Sequence, residues 1–107
     1  MVRIAFFGTP EFAVPTLAEL VKSPSEVVTV VSQPDRPRGR GQRSLASPIK
    51  SLALGKKIPV LTPENLNDPY FLQQMRSLRL ELGVVVAYGK LIPNKLLSIP
   101  THGFVNL

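Results

Sequence analysis

Short apolar runs alternate along this chain with stretches whose apolar residues recur every three or four positions. Arg3-Ile4-Ala5-Phe6-Phe7 is such a run, ended by Gly8, and it predicts a central strand buried on both faces. Thr9 is placed to cap a following turn, and Pro10 suits the first position of a helix. Pro15 then opens a helix to about Lys22, with Leu17, Leu20 and Val21 on one face. Val27, Val28, Val30 and Val31 make residues 26–32 a second strand, since β-branched side chains suit the pleated surface. Ser47-Pro48 opens a second helix with the serine as cap, Ile49, Leu52 and Ala53 inward and Gly55 at its end. Ile58-Pro59-Val60-Leu61 reads as a short strand whose proline marks a strand start or an edge. A third helix runs from Asp68-Pro69 to about Arg79, its inner face formed by Phe71, Met75, Leu78 and Leu82; Met75 serves as core filler.

The last stretch holds two more apolar runs, 84–87 and 104–107. A Tyr88-Gly89 turn and a helix-like piece after Pro93 join them. About five strands alternating with helices predict an α/β fold, a Rossmann-like, mostly parallel sheet with helices on both faces. Ligands bind such sheets beyond the C-terminal ends of the strands. The loops after the first, second, fourth and fifth runs open onto one rim, so Gly8, the loop from Gln33, Tyr88-Gly89 and Asn106 are expected near one another. The Tyr88-Gly89-Lys90 backbone and the Asn106 side chain then form the floor of a small-molecule site with an amide aimed into it.

Residues 33–47, QPDRPRGRGQRSLAS, break the hydrophobic period and read as a long loop. Arg36, Arg38, Arg40 and Arg43, four of the thirteen basic residues, fall within it, opposed only by Asp35. Arginine forks among flexible glycines suit phosphates and stacked bases. The pattern favours nucleic-acid contact over a solvated linker, although a phosphorylated small substrate would leave the same trace. Net charge is +6, which agrees with an anionic partner.

At 107 residues, 44% of them apolar, the chain makes one globular domain at most. No apolar run approaches the ~20 residues that cross a bilayer, and Met1-Val2-Arg3 leads directly into a strand pattern rather than a signal peptide. Cysteine is absent, which excludes disulfides and thiolate metal sites and fits a cytoplasmic address. The turn GTPEF has one glycine where a dinucleotide fingerprint needs three. His102, the single histidine, follows Pro100-Thr101 with no acidic residue to orient it, and reads as an exposed loop residue rather than a general base. No histidine pair, Ser-His-Asp set or paired-carboxylate motif is present, so no metal is expected. On spacing alone, Asn106 reads as an asparagine satisfying nearby backbone.

RIAFFGTPEFAVPTL, QPDRPRGRGQ, SPIK, IPVLTPENL, VVVAYGKLIP and GFVNL together resemble the N-terminal part of the methionyl-tRNA formyltransferases, over essentially the whole chain. The resemblance implies the formyltransferase version of the Rossmann-like sheet. It implies transfer of a formyl group from formyltetrahydrofolate, the co-substrate, to the amino group of initiator methionyl-tRNA in translation initiation. The family's Asn-x-His motif falls on Asn106. Its histidine and aspartate would lie beyond Leu107, and His102 precedes the motif. In the family the asparagine and histidine help bind the charged tetrahedral intermediate, and the aspartate assists proton movement. Tyr88, Gly89, Lys90, Leu91 and Ile92 match the wall that holds the pterin. The basic loop matches the segment that enters the tRNA acceptor arm, with Arg40 in its best-known position and Arg36, Arg38 and Arg43 as phosphate contacts.

Two further expectations come with the resemblance. Residues 1–107 correspond to the N-terminal part of the catalytic domain, without its remainder or the C-terminal domain, and by themselves are inactive. Uncovered sheet edges also invite self-association. The alternatives are a folate-dependent formyltransferase acting on a small amine, and a non-catalytic basic tRNA-binding module.

Overall fold

Ile4 to Gly8 are buried without interruption in β1 (Arg3–Gly8), as a strand covered on both faces requires. The computed structural model describes residues 1–9, 11–34, 37–38, 43–44 and 48–107; at Phe12, 37–38 and 43–44 only the backbone is described. After β1 come a 3-10 turn (Glu11–Ala13), α1 (Val14–Lys22) and β2 (Glu26–Val31). A two-residue antiparallel pair follows, β3 (Pro37–Arg38) with β4 (Arg43–Ser44). Then come α2 (Pro48–Gly55), β5 (Val60–Leu61), α3 (Pro69–Ser77), β6 (Leu82–Val86), α4 (Asn94–Leu97) and β7 (Phe104–Asn106).

The main sheet has the order β5-β2-β1-β6-β7, and every pairing in it is parallel. The chain therefore builds outward from β1 through β2 to β5, then returns to the other side of β1 for β6 and β7. That reversal is the topological switch point of a doubly wound sheet, and it lies between β1 and β6.

The two-residue side-chain period divides the core. Ile4 and Phe6 of β1, Val30 of β2, and Val84 and Val86 of β6 pack with Leu17 of α1 and with Ile49 and Ala53 of α2. Ala5, Phe7, Val31 and Val85 point the other way, toward Phe71, Leu72 and Met75 of α3 and Leu96 of α4. Helices thus cover both faces, and Met75 is fully buried core filler.

Several expected boundaries move. The third helix stops at Ser77, because Arg79 takes a left-handed conformation (φ 54°) that no α-helix accommodates; Leu82 consequently begins β6 instead of completing the helix face. Asp68 caps α3, its carboxylate accepting the Phe71 N–H at 3.1 Å. The strand expected over 58–61 is paired only at Val60–Leu61. The run 84–87 ends at Val86, because Ala87 turns left-handed (φ 48°). The first helix gains Val14, and β7 ends at Asn106. Residues 33–47 are not wholly a loop, since β3 and β4 lie within them. Thr9 caps no turn; its hydroxyl oxygen accepts the Gln33 N–H at 3.0 Å. Pro10 and the expected cap Ser47 lie outside the described residues.

Candidate functional site

One row of paired residues crosses the sheet near its C-terminal rim. Phe7 stands beside Val31 on one side and Val85 on the other, and Val85 stands beside Asn106. At about 4.8 Å per strand spacing, Asn106 lies about 10 Å from Phe7 along this row. Residues level with one another in a parallel pair share a face, so the Asn106 side chain is on the side of Val85, Phe7 and α4. It is exposed, at the end of the edge strand. β7 comes close to β6 because residue 83 is glycine: a Cβ there would meet the Phe104 ring at 2.3 Å.

One strand inward, β6 ends in an unusual turn. Ala87 (φ 48°) and Gly89 (φ 94°) are both left-handed and flank Tyr88. A left-handed alanine costs roughly 1–2 kcal/mol, so other contacts must hold the turn. The Tyr88 ring is one of them. It is 1% exposed, packed edge-on against Phe7 with centroids 5.5 Å apart. Its hydroxyl finds no partner among the described residues, and burial pushes its pKa up to about 12. Gln33 is the second contact. Its Nε2–H donates to the Tyr88 carbonyl at 2.9 Å, while its backbone N–H donates to Thr9. One residue after β2 thereby ties together the ends of β1, β2 and β6 at the switch point. Its Oε1 is buried with no partner among the described residues, a cost on the order of 1–3 kcal/mol.

The five residues expected to form a ligand wall therefore present different groups. Tyr88 gives its ring to the core and only backbone to the rim. Gly89 is exposed, Leu91 is 94% exposed, and Ile92 is half-buried against the core. The Lys90 Nζ donates to the Glu64 carbonyl at 2.7 Å. That bond closes one side of a cavity of about 460 Å³ lined by Glu64, Asn65, Leu66, Asn67, Lys90, Leu91 and Pro93. The cavity is wide open to solvent, and its volume lies in the range of small-molecule sites.

Sequence reasoning missed Gln33 and the 64–67 lining. It took Gln33 as the first residue of a loop and gave 64–67 no role of their own. The available signal was Gln33's place directly after a strand whose C-terminal end faces the rim. The arginine loop leaves the sheet from this same rim, after Gln33-Pro34. Arg36 and Arg40 lie outside the described residues, as do the side chains of Arg38 and Arg43. His102 is exposed, with its N–H on the Glu81 carbonyl before β6, at the opposite end of the sheet from Asn106. Among the described residues, no group of three His, Cys, Asp or Glu stands close enough to hold a metal ion, and no helix is long and apolar enough to cross a membrane.

The Rossmann-like sheet, with its crevice between β1 and β6 and without the glycines of a dinucleotide loop, is compatible with the formyl transferase family. The chain belongs to that family, whose profile matches residues 2–107. It is 50% identical to the methionyl-tRNA formyltransferase of Geobacter sulfurreducens over 105 residues, which cover 98% of this chain and 33% of that protein. The methionyl-tRNA formyltransferase of Synechococcus elongatus is likewise 50% identical, over 107 residues covering 98% and 33%. The chain thus spans about a third of the length of these curated relatives. Among solved structures, glycinamide ribonucleotide transformylase 1 from Geobacillus kaustophilus superposes with a TM-score of 0.71, covering 99% of this chain and 57% of that one. At 20% identity, this is a likeness of fold.

Proposed function

We propose that this chain forms the N-terminal part of a methionyl-tRNA formyltransferase, which moves a formyl group from formyltetrahydrofolate to the methionyl amino group of initiator tRNA. The observation that supports this reading is the gathering, on one rim, of Asn106, the 88–92 segment and the root of the arginine loop. The half identity to proteins of that name agrees with it.

In the reaction, the amino nitrogen attacks the formyl carbon and the carbonyl oxygen gains negative charge. The folate nitrogen leaves with the bonding pair when that charge collapses and takes up a proton, while the attacking nitrogen gives one up. The Asn106 amide, exposed at the end of β7, donates a hydrogen bond to the charged oxygen. Such a donor acts because its dipole is oriented before charge develops. The 88–92 segment and the neighbouring cavity hold the folate, while Arg40, with Arg36, Arg38 and Arg43, engages the tRNA phosphates. Asn106 is the only member of the family's catalytic set within these 107 residues, so we propose that they do not formylate on their own.

Paired substitutions in a formyltransferase that carries residues 1–107 as its N-terminal part test the reading. Asn106→Ala is expected to lower kcat about a hundred- to a thousandfold with little change in KM. Arg40→Ala is expected to weaken tRNA binding and leave folate binding unchanged. Unaltered kcat in the first, or unaltered tRNA binding in the second, removes that residue's role. Formylation by residues 1–107 alone would refute the inactivity.

A further inference from the structure

We propose that Gln33 is a positioning residue that sets the orientation of the Tyr88–Gly89 peptide and so presents the Gly89 N–H to a bound ligand. This rests on the reading above that the 88–92 segment forms part of the folate site. The peptide is trans and planar, so its carbonyl and the following N–H point in opposite directions. The carbonyl is held by the Gln33 Nε2–H at 2.9 Å. The Gly89 N–H is therefore directed away from Gln33, and it has no partner among the described residues. It is a fixed, unspent donor at the end of β6, beside the switch-point crevice, suited to an acceptor oxygen or ring nitrogen of a heterocycle such as a pterin. Glycine is needed there because φ is 94°, in the region that L side chains rarely adopt.

Without Gln33, the Tyr88 ring would still anchor one end of the turn. A single ring leaves the peptide plane free to rotate, and the left-handed Ala87 beside it would favour relaxation. The side-chain amide removes that freedom. The Gln33 contact to Thr9 uses the backbone N–H, so it survives any change of side chain at 33. Substitution therefore isolates the hold on Tyr88 from the joining of β1 to β2.

The test compares the ¹⁵N-labelled wild-type chain with Gln33→Met and Gln33→Glu. The methionine has similar length and no donor. The glutamic acid can donate O–H to the Tyr88 carbonyl only while protonated; once ionised it repels it. In the ligand-free chain, relaxation measurements are expected to show residues 87–90 ordered in wild type and loosened in Gln33→Met. In Gln33→Glu they should be ordered at about pH 3.5, below the ordinary glutamate pKa of about 4.3, and loosened at about pH 7, a profile that packing alone would not produce. Order at 87–90 that is the same in all three proteins at both pH values overturns the proposal.

Titration with 5-formyltetrahydrofolate is expected to shift the Gly89 amide of wild type and to bind Gln33→Met about tenfold more weakly, the scale of one lost hydrogen bond. Equal affinity despite a loosened turn also overturns it. If the turn behaves as expected and wild type binds no folate, the positioning role stands and the folate reading of this chain falls. Should Gln33→Met fail to fold, the pH response of Gln33→Glu decides alone.

Discussion

Each end of the sheet is tied by contacts gathered on one residue, and the two ties are built differently. At the N-terminal end, Arg3 donates from Nε to the Leu78 carbonyl at 3.0 Å and pairs with Glu26 at 3.4 Å, while the Glu81 carboxylate accepts the Arg3 N–H at 3.1 Å. This end is charged and open to water, and these contacts are ordinary. At the C-terminal end Gln33 is neutral, its Oε1 is buried without a described partner, and it steadies a turn with a left-handed alanine beside a tyrosine whose hydroxyl likewise has no partner among the described residues. Left-handed residues stand at both ends, Arg79 before β6 and Ala87 after it, so strain does not separate the ends; two buried polar atoms without partners among the described residues do, and they lower stability. Both atoms lie at the end where α/β sheets bind ligands.

The largest consequence concerns the Tyr88 hydroxyl. Its pKa is raised to about 12 from an ordinary 10.0. A tyrosine that keeps its proton longer in the folded state contributes stability that is complete below pH 10 and is lost as pH climbs toward 12. Two pKa units correspond to about 2.7 kcal/mol. Urea unfolding between pH 9 and 12 is expected to show a loss of this size. Tyr88→Phe should remove that limb and leave neutral-pH stability within about 1 kcal/mol of wild type, because the lost hydroxyl has no described partner. An equally steep alkaline loss in Tyr88→Phe would place the titrating group elsewhere and break the contrast between the ends.

Ala87 gives a smaller effect of opposite sign. Its side chain is exposed, so removing the methyl group uncovers no core. Glycine relieves the left-handed strain but adds unfolded-state entropy. Ala87→Gly is therefore expected to raise stability by about 0.5–1 kcal/mol and to increase motion at 87–90. Raised stability appears as a higher urea midpoint; a lower midpoint would mean that the turn stores no strain.

Most of this architecture was legible in the chain because its strands are covered twice. The runs at 3–7, 26–31 and 84–86 carry few polar residues, and only burial on both faces explains that. The shared rim followed from strand-helix alternation, although the strand order did not. The failures have local causes. Arg79 and Ala87 adopt positive φ, which their residue types do not announce. β5 is an edge strand of two paired residues, too short for its pattern to fix its start. Gly83 allows the close approach of Phe104, a contact between residues twenty-one positions apart. Gln33 was overlooked because its role depends on the Tyr88 carbonyl, and a backbone acceptor has no signature in sequence. Tyr88 itself was read correctly as lying at a strand end, but period-two reasoning stops at the strand, and the turn sends its ring back into the core.

The smallest effect tests the N-terminal tie. The Arg3–Glu26 pair is part-exposed on both sides, with 36% and 46% of the side chains open to solvent. Water and salt screen such a pair, and ordering two long side chains offsets much of the attraction. A double-mutant cycle with Arg3→Gln and Glu26→Gln is expected to give a coupling of about 0.5 kcal/mol or less, falling further in high salt. The Arg3→Gln single variant should lose more, about 1 kcal/mol, because the Leu78 carbonyl loses its charged donor as well. That excess should persist in salt, since a short hydrogen bond to a half-buried carbonyl is screened less than an open ion pair. A coupling well above 1 kcal/mol that resists salt would make the N-terminal end an electrostatic clamp. The two ends would then differ in kind of bonding, and the polar atoms without described partners at the C-terminal rim would no longer be all that separates them.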